Sequence, residues 1–442
     1  MSPVFFYALK NFRLFSGMKK LFFPLFIICL LTSCSISQKI SKEARATIFK
    51  DNNLSTAHTG VAIYDPATSK MIFEYQSDKY FTPASNTKLA SCYVAMKYLG
   101  DSITGIQYQV LDESTVAIKG MGDPTMMHPD FKNQPVLKFL SGFRNVEIEK
   151  SDFSSFMGNG WSWDDYEYSY AAPRSAFPMY GDYVTIKWDN NRVSATPSWF
   201  NQSTTLSGNI NNGISVSRPW DSNTFTVSDG KSKSVEIPFI PDDNTVVALW
   251  SDTLKKTVSL TTRKVLGDNF VHTQPLDSML AIMMHRSDNF FAEQSLLMVS
   301  NKILGTMNTR QVIQKIISTD FADMPQRPRW SDGSGLSSYN LFSPQDFIFI
   351  LRKMKDEFGL ERMKVILPTG GTGTLSSLYH ADAGKIFAKT GTISGVVSLS
   401  GYLITEKNKL LLFSVLVNNH NVAAQEIRKA VEKFLHGIRT KL

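Results

Sequence analysis

Two short apolar runs, Val61-Ala62-Ile63-Tyr64 and Met71-Ile72-Phe73-Glu74-Tyr75, face each other across Asp65-Pro66 and Ser69-Lys70. β-Branched and aromatic runs on either side of such turn residues predict a hairpin. Behind Pro83-Ala84-Ser85-Asn86 the period changes, and Leu89, Cys92, Tyr93, Met96 and Leu99 recur at three- and four-residue steps. That spacing predicts a helix with one apolar face. From about residue 101 to 270 the texture shifts to β-type runs such as Val146-Glu147-Ile148, Tyr183-Val184-Thr185-Ile186-Lys187 and Val246-Val247-Ala248-Leu249, separated by Asn, Asp, Gly and Ser clusters. Helical spacing returns over 278–298 and 308–317, and strands are expected over 396–402 and 410–417. A last helix carries Ile427, Val431, Phe434 and Ile438 on one face.

This order predicts a mixed α/β (α+β) chain in which 34–100 and 271–442 form one domain and 101–270 is a β-rich insertion of one or two small domains. No repeat or long linker separates the middle block as a bead of its own. With 442 residues, 43% of them hydrophobic, the chain can bury a full core.

The first residues read differently. Lys19-Lys20 and the apolar run 21–31 have the charged and hydrophobic parts of an export signal, too short for a comfortable membrane span. Met18 is a second candidate start. The run closes on Leu31-Thr32-Ser33-Cys34, which resembles a bacterial lipobox, so 1–33 is expected to be a signal peptide and Cys34 a lipidated new N-terminus. The protein would be exported, periplasmic and lipid-anchored to the outer or cytoplasmic membrane. A plainly cleaved signal is the alternative. Of the formal net charge of +8, Lys10, Arg13, Lys19 and Lys20 carry four ahead of the cleavage point, which leaves +4. So mild a surplus does not argue for nucleic acid. Besides Cys34 the cysteines are Cys29 inside the signal and Cys92, so no disulfide can form after processing; Cys92, among Leu89, Tyr93 and Met96, reads as a packed thiol.

Chemistry enters with three short motifs in one order: Ser85-Asn86-Thr87-Lys88, Ser287-Asp288-Asn289 and Lys389-Thr390-Gly391. Singly, each has a bland explanation as a helix cap, a local turn or a solvated strand charge. Together they match the Ser-x-x-Lys, Ser-Asp-Asn and Lys-Thr-Gly set of serine acyl-transfer enzymes. A serine hydroxyl must lose its proton to a base within hydrogen-bond reach, and three residues along a helix supply that neighbour. Lysine serves as the base only when its ammonium is destabilised, by burial and by a second cation such as Lys389.

With Gly122-Asp123-Pro124-Thr125, Asp332-Gly333-Ser334-Gly335-Leu336-Ser337 and Gly373-Thr374-Leu375, and with the wide gap between Ser85 and Ser287, the chain resembles the class C low-molecular-mass penicillin-binding proteins, peptidase family S13. The resemblance implies a penicillin-recognising, β-lactamase-like domain, an antiparallel sheet flanked by helices. It also implies a DD-carboxypeptidase and/or endopeptidase acting on the stem peptides of peptidoglycan and inhibited by β-lactams. In these roles Ser85 forms the acyl-enzyme, Lys88 is its base, Ser287 and Asn289 complete the proton network, and Lys389 with Thr390 and Gly391 holds the terminal carboxylate. The N–H groups of Ser85 and Thr392 form the oxyanion hole. No metal or organic cofactor is implied.

The segment Gly160-Trp161-Ser162-Trp163-Asp164-Asp165-Tyr166, running on to Tyr170-Ala171-Ala172-Pro173, is similar to the family's side-chain pocket. There Asp165 would meet the stem peptide's free amine, and Trp161 and Tyr170 would wall its aliphatic part; aromatic packing of a small β-domain is the alternative. Arginine often follows Gly-Leu-Ser in the family, whereas Ser338 follows Ser337 here, so the resemblance does not extend to recognition of a side-chain carboxylate. Rival functions are a β-lactamase, for which no Glu-x-x-Leu-Asn loop is present, and an inactive peptidoglycan-binding homologue, for which no motif is broken.

Overall fold

The computed structural model describes residues 36–442; the expected signal 1–33 and the lipidation site Cys34 lie outside them. The hairpin forms as His58–Asp65 and Lys70–Tyr75. It joins three late strands, Ile386–Ile393, Val396–Ile404 and Leu410–Asn418, in one antiparallel sheet. Leu410–Asn418 pairs with His58–Asp65, which brings the two ends of the sequence together at the sheet's centre. Ile386–Ile393 is left at the edge.

Period-2 alternation gives this sheet two apolar faces. One packs Val61, Ile63, Ala388, Leu399 and Phe413 against the terminal helix Ala424–Lys441 through Ile427, Val431, Phe434 and Ile438. The other packs Ala62, Phe387, Tyr402 and Leu416 against a helical layer built around Lys88–Tyr98. That helix departs from the expected amphipathic pattern: Lys88 through Met96 are all buried, because Asn289–Leu304 and Pro344–Phe358 cover the sides that the sheet leaves free.

The residues between these parts hold a five-stranded mixed sheet and two three-stranded sheets around a third apolar cluster. One expectation fails there, since Val246-Val247-Ala248-Leu249 lies in a helix, Asp243–Leu254. Asp242 caps it by accepting the Thr245 N–H at 2.7 Å, and Val246, Leu249 and Trp250 bury at helical spacing. Four apolar residues are too short a window to distinguish the two periods.

Candidate active site

Ser85 sits in a tight turn, Ala84–Thr87, that leads directly into the helix beginning at Lys88. The turn is strained, with Ala84 at φ 48°, a region that favours glycine. It persists because the surroundings clamp it. Ser398 Oγ donates to the Pro83 carbonyl at 2.7 Å, Asn86 Nδ2 donates to Ser400 Oγ at 2.8 Å, and Thr87 Oγ1 donates to the Ala84 carbonyl at 2.9 Å. Two glycines make the close approach possible. A β-carbon at Gly335, itself at φ 81°, would lie 1.9 Å from the Ala84 carbonyl oxygen, and one at Gly391 would lie 2.9 Å from the Ser85 nitrogen.

Lys88 is fully buried and its Nζ has three acceptors: Ser85 Oγ at 2.9 Å, Asn289 Oδ1 at 2.6 Å and the Ser334 carbonyl at 2.7 Å. Burial pushes this ammonium down to about 8, and the charges of Asp332, Asp288 and Glu293 pull the other way. Lys389 is also fully buried and pushed well below its usual value, first by burial and then by the charge of Lys88. Of the two causes expected to destabilise the Lys88 ammonium, burial and a second cation, burial leads, and the charge of Lys88 acts in turn on Lys389.

Ser287 and Asn289 stand at a helix joint, not within one continuous helix over 278–298. Ser287 ends Leu276–Arg286 in the left-handed region at φ 61°, and Asp288 caps Asn289–Leu304 by accepting the Phe291 N–H at 2.9 Å. Lys389 Nζ donates to Ser287 Oγ at 2.9 Å and to the Thr390 carbonyl at 2.7 Å. The three motifs thus meet as two lysine–serine pairs, with Asn289 hydrogen-bonded to the first of them. The hydroxyl of Thr390 makes no hydrogen bond to the described residues, and the strand edge leaves it half-exposed. Thr392 turns its hydroxyl away to accept from Arg428 Nη2 at 2.7 Å, so only its backbone can serve the site.

In the pocket segment Trp161 is anchored by its Nε1–H, which donates to Asp332 Oδ2 at 3.0 Å. Tyr170 donates its hydroxyl to Asp165 Oδ1 at 2.8 Å and stacks on Tyr168 at 5.2 Å. Its carbonyl accepts from Asn289 Nδ2 at 2.8 Å, which ties this segment to the motifs. Asn289 is therefore engaged at both ends of its amide. Ser338 is exposed.

Sequence reasoning gave no role to Asp332, which is fully buried and accepts from Gly335 N at 2.8 Å, Ser337 N at 2.7 Å and Asn340 Nδ2 at 2.7 Å besides Trp161. The loop it organises supplies the Ser334 carbonyl to Lys88. A backbone acceptor leaves no mark in a sequence; the available signal was the Asp332-Gly333-Ser334-Gly335 string itself.

The model of the D-Ala-D-Ala carboxypeptidase 3 (S13) family matches residues 42–438. The chain belongs to this family. It is a serine hydrolase, and all three motifs of the site fall inside the matched span. Among curated relatives it is 24% identical to the D-alanyl-D-alanine carboxypeptidase of Actinomadura sp. (strain R39), over 85% of this chain and 80% of the relative. It is 22% identical to the penicillin-sensitive carboxypeptidase A of Dictyostelium discoideum, over 84% and 85%. Among solved structures, penicillin binding protein 4 (dacB) from Haemophilus influenzae shares the fold at a TM-score of 0.71, with 19% identity over 90% of this chain and 98% of that one.

Proposed function

We propose that this S13 peptidase cleaves D-alanyl peptide bonds of peptidoglycan stem peptides through an acyl-enzyme on Ser85, and that β-lactams acylate the same serine. One observation carries the reading: a fully buried lysine, poised near pH 8, stands 2.9 Å from a hydroxyl held on a strained turn. Free amine at Lys88 takes the Ser85 proton as Oγ attacks the penultimate D-alanine carbonyl. Negative charge develops on the carbonyl oxygen beside the N–H groups of Ser85 and Thr392, where the missing side chain of Gly391 leaves room. Collapse expels the amine, which takes up through Ser287 the proton that Lys88 received, and the freed Lys88 amine then deprotonates the water that hydrolyses the ester. A substrate carboxylate arriving next to Lys389 and Thr390 favours the charged form of Lys389 and anchors the chain end. Edge strand Ile386–Ile393 offers backbone groups along which an extended peptide can lie.

Fluorescent penicillin tests this. Ser85→Ala should abolish covalent labelling and the intact protein should hold the label for many turnovers' worth of time; a labelled alanine variant, or rapid release of hydrolysed penicillin, overturns the assignment. We further propose export and lipid attachment at Cys34, supported by Lys19-Lys20, the apolar run and Leu31-Thr32-Ser33-Cys34. Mass analysis that finds an unmodified mature N-terminus at another position refutes that part alone.

A further inference from the structure

Four residues beyond Asn289, on the same helix, lies a second acid that the mechanism above does not use. Glu293 is fully buried. Its Oε1 accepts the Ser334 N–H at 2.8 Å, and the carbonyl of that same residue accepts from Lys88 Nζ at 2.7 Å. The loop is pressed onto the helix here, since a β-carbon at Gly333 would lie 2.6 Å from the Ala292 carbonyl oxygen. Oε2 has no hydrogen-bond donor; it faces Arg174 Nη1 at 3.5 Å, close enough for charge attraction without a directed bond. Arg174 is itself buried, with Nη1 on Thr309 Oγ1 at 2.9 Å, Nη2 on the carbonyls of Ser155 and Met157 at 2.8 Å, and Nε unpartnered.

We infer that Glu293, paired with Arg174, is a positioning residue whose charge sets the pH at which Lys88 becomes a base. The inference rests on Lys88 being that base. Two routes connect them, one mechanical through Ser334 and one electrostatic. Charged groups face Lys88 from three surrounding elements: Asp288 and Glu293 from the Asn289 helix, Asp332 from the loop, and Lys389 from the edge strand, with His285 beyond Lys389. Of the three acids, Glu293 is the one set against a buried arginine. Burial and the neighbouring Asp332 push its carboxyl up to about 7, and Arg174 pulls it down. As carboxylate it favours the Lys88 ammonium, and neutral it favours the free amine. Arg174 therefore holds Lys88 back from losing its proton by keeping Glu293 ionised.

The test is the pH dependence of the second-order rate of Ser85 acylation by fluorescent penicillin. In the wild type the acid limb should be half-risen near pH 8, where Lys88 loses its proton. Glu293→Gln keeps an oxygen for the Ser334 N–H, removes the negative charge and leaves Arg174 positive, so its limb should move down by about one pH unit. Arg174→Gln leaves a buried acid that takes up a proton, so it should coincide with the double variant Arg174→Gln/Glu293→Gln, both lying between wild type and Glu293→Gln. The double variant contains no unpaired buried charge, so it carries the test if Glu293→Gln folds poorly. A uniform loss of rate at every pH with the limb unmoved would mean a structural role only, and separation of Arg174→Gln from the double variant would equally overturn the proposal. A wild type that is not labelled at all would instead remove the acyl-enzyme reading beneath it.

Discussion

The wall that carries Ser85, Lys88, Ser287, Asn289 and Lys389 meets the segment that carries Trp161, Asp165 and Tyr170 through the hydrogen bond from Asn289 to the Tyr170 carbonyl. The two follow opposite rules of solvation. Both lysines of the wall are fully buried, Lys88 Nζ on three fixed acceptors and Lys389 Nζ on two. The facing segment is two short turns, Trp163–Glu167 and Ser169–Ala171; the first has no buried residue, and Trp163, Tyr168 and Tyr170 are 74%, 55% and 46% exposed. A base made from lysine requires dehydration, which is available only inside a packed layer. Recognition of a charged, hydrated side chain requires a surface that the substrate itself completes. Under the proposed function the two needs fall to different elements touching at one amide.

The sharpest way to break that comparison is to remove the buried base. Lys88→Ala should lower the acylation rate by about 10²–10⁴-fold, the usual worth of a positioned general base, measured by the time course of penicillin labelling. A variant that still labels within tenfold of wild type would mean that dehydration of Lys88 has no catalytic purpose. Next in size is Asp332, which belongs to both regions because it accepts from Trp161 on one side and, on the other, from the loop whose Ser334 carbonyl holds Lys88. Asp332→Asn puts an amide N–H₂ where two backbone N–H groups, an asparagine amide and an indole N–H all need acceptors. The loss should be about 2–4 kcal/mol in urea unfolding, since a buried charge-assisted network is left partly unsatisfied, and labelling should slow as well because the Ser334 carbonyl loses its support. Unchanged stability would show that the two regions are held together by packing alone.

These two cases also mark how far the sequence could be read. The motif triple was legible because each member is a short string with its chemistry in the side chains, and the three- and four-residue steps from Leu89 to Leu99 announced a helix. What surrounds the motifs was not, for several physical reasons. Period alone does not reveal that a helix will be covered on all sides, so the burial of Lys88, on which its proposed role as base rests, was invisible. Carbonyl acceptors such as those of Ser334 and Tyr170 have no side-chain signature. The Arg174–Glu293 contact joins residues far apart in sequence through tertiary packing. Trp161 was placed as an apolar wall by the family resemblance, and the anchoring of its indole N–H on Asp332 has no mark in the sequence. The β-branched run at 246–249 looked like strand until the Asp242 cap and helical burial overruled it.

The smallest expected effect sharpens the comparison from the exposed side. Asp165 is half-buried, and Tyr170 donates to its Oδ1 at 2.8 Å. In the recognition that the family resemblance implies, a carboxylate so held would offer its other oxygen to an incoming ammonium. Burial first, and then the hydrogen bond that gives its proton to Asp165, push the Tyr170 hydroxyl up to about 12. Solvent screens a site this open, so Asp165→Asn should cost about 1 kcal/mol, roughly fivefold, in the kcat/KM preference for stem peptides with a free side-chain amine over their acetylated counterparts. Penicillin labelling, which needs only the wall, should be unchanged. Tyr170→Phe separates orientation from charge, because the carboxylate stays but loses its fixed donor; its preference should fall by less than that of Asp165→Asn, about twofold. Should Asp165→Asn keep full selectivity while labelling slows, the segment would be acting through Asn289 on the chemistry, and the division between a dehydrated catalytic wall and a hydrated recognition edge would be wrong.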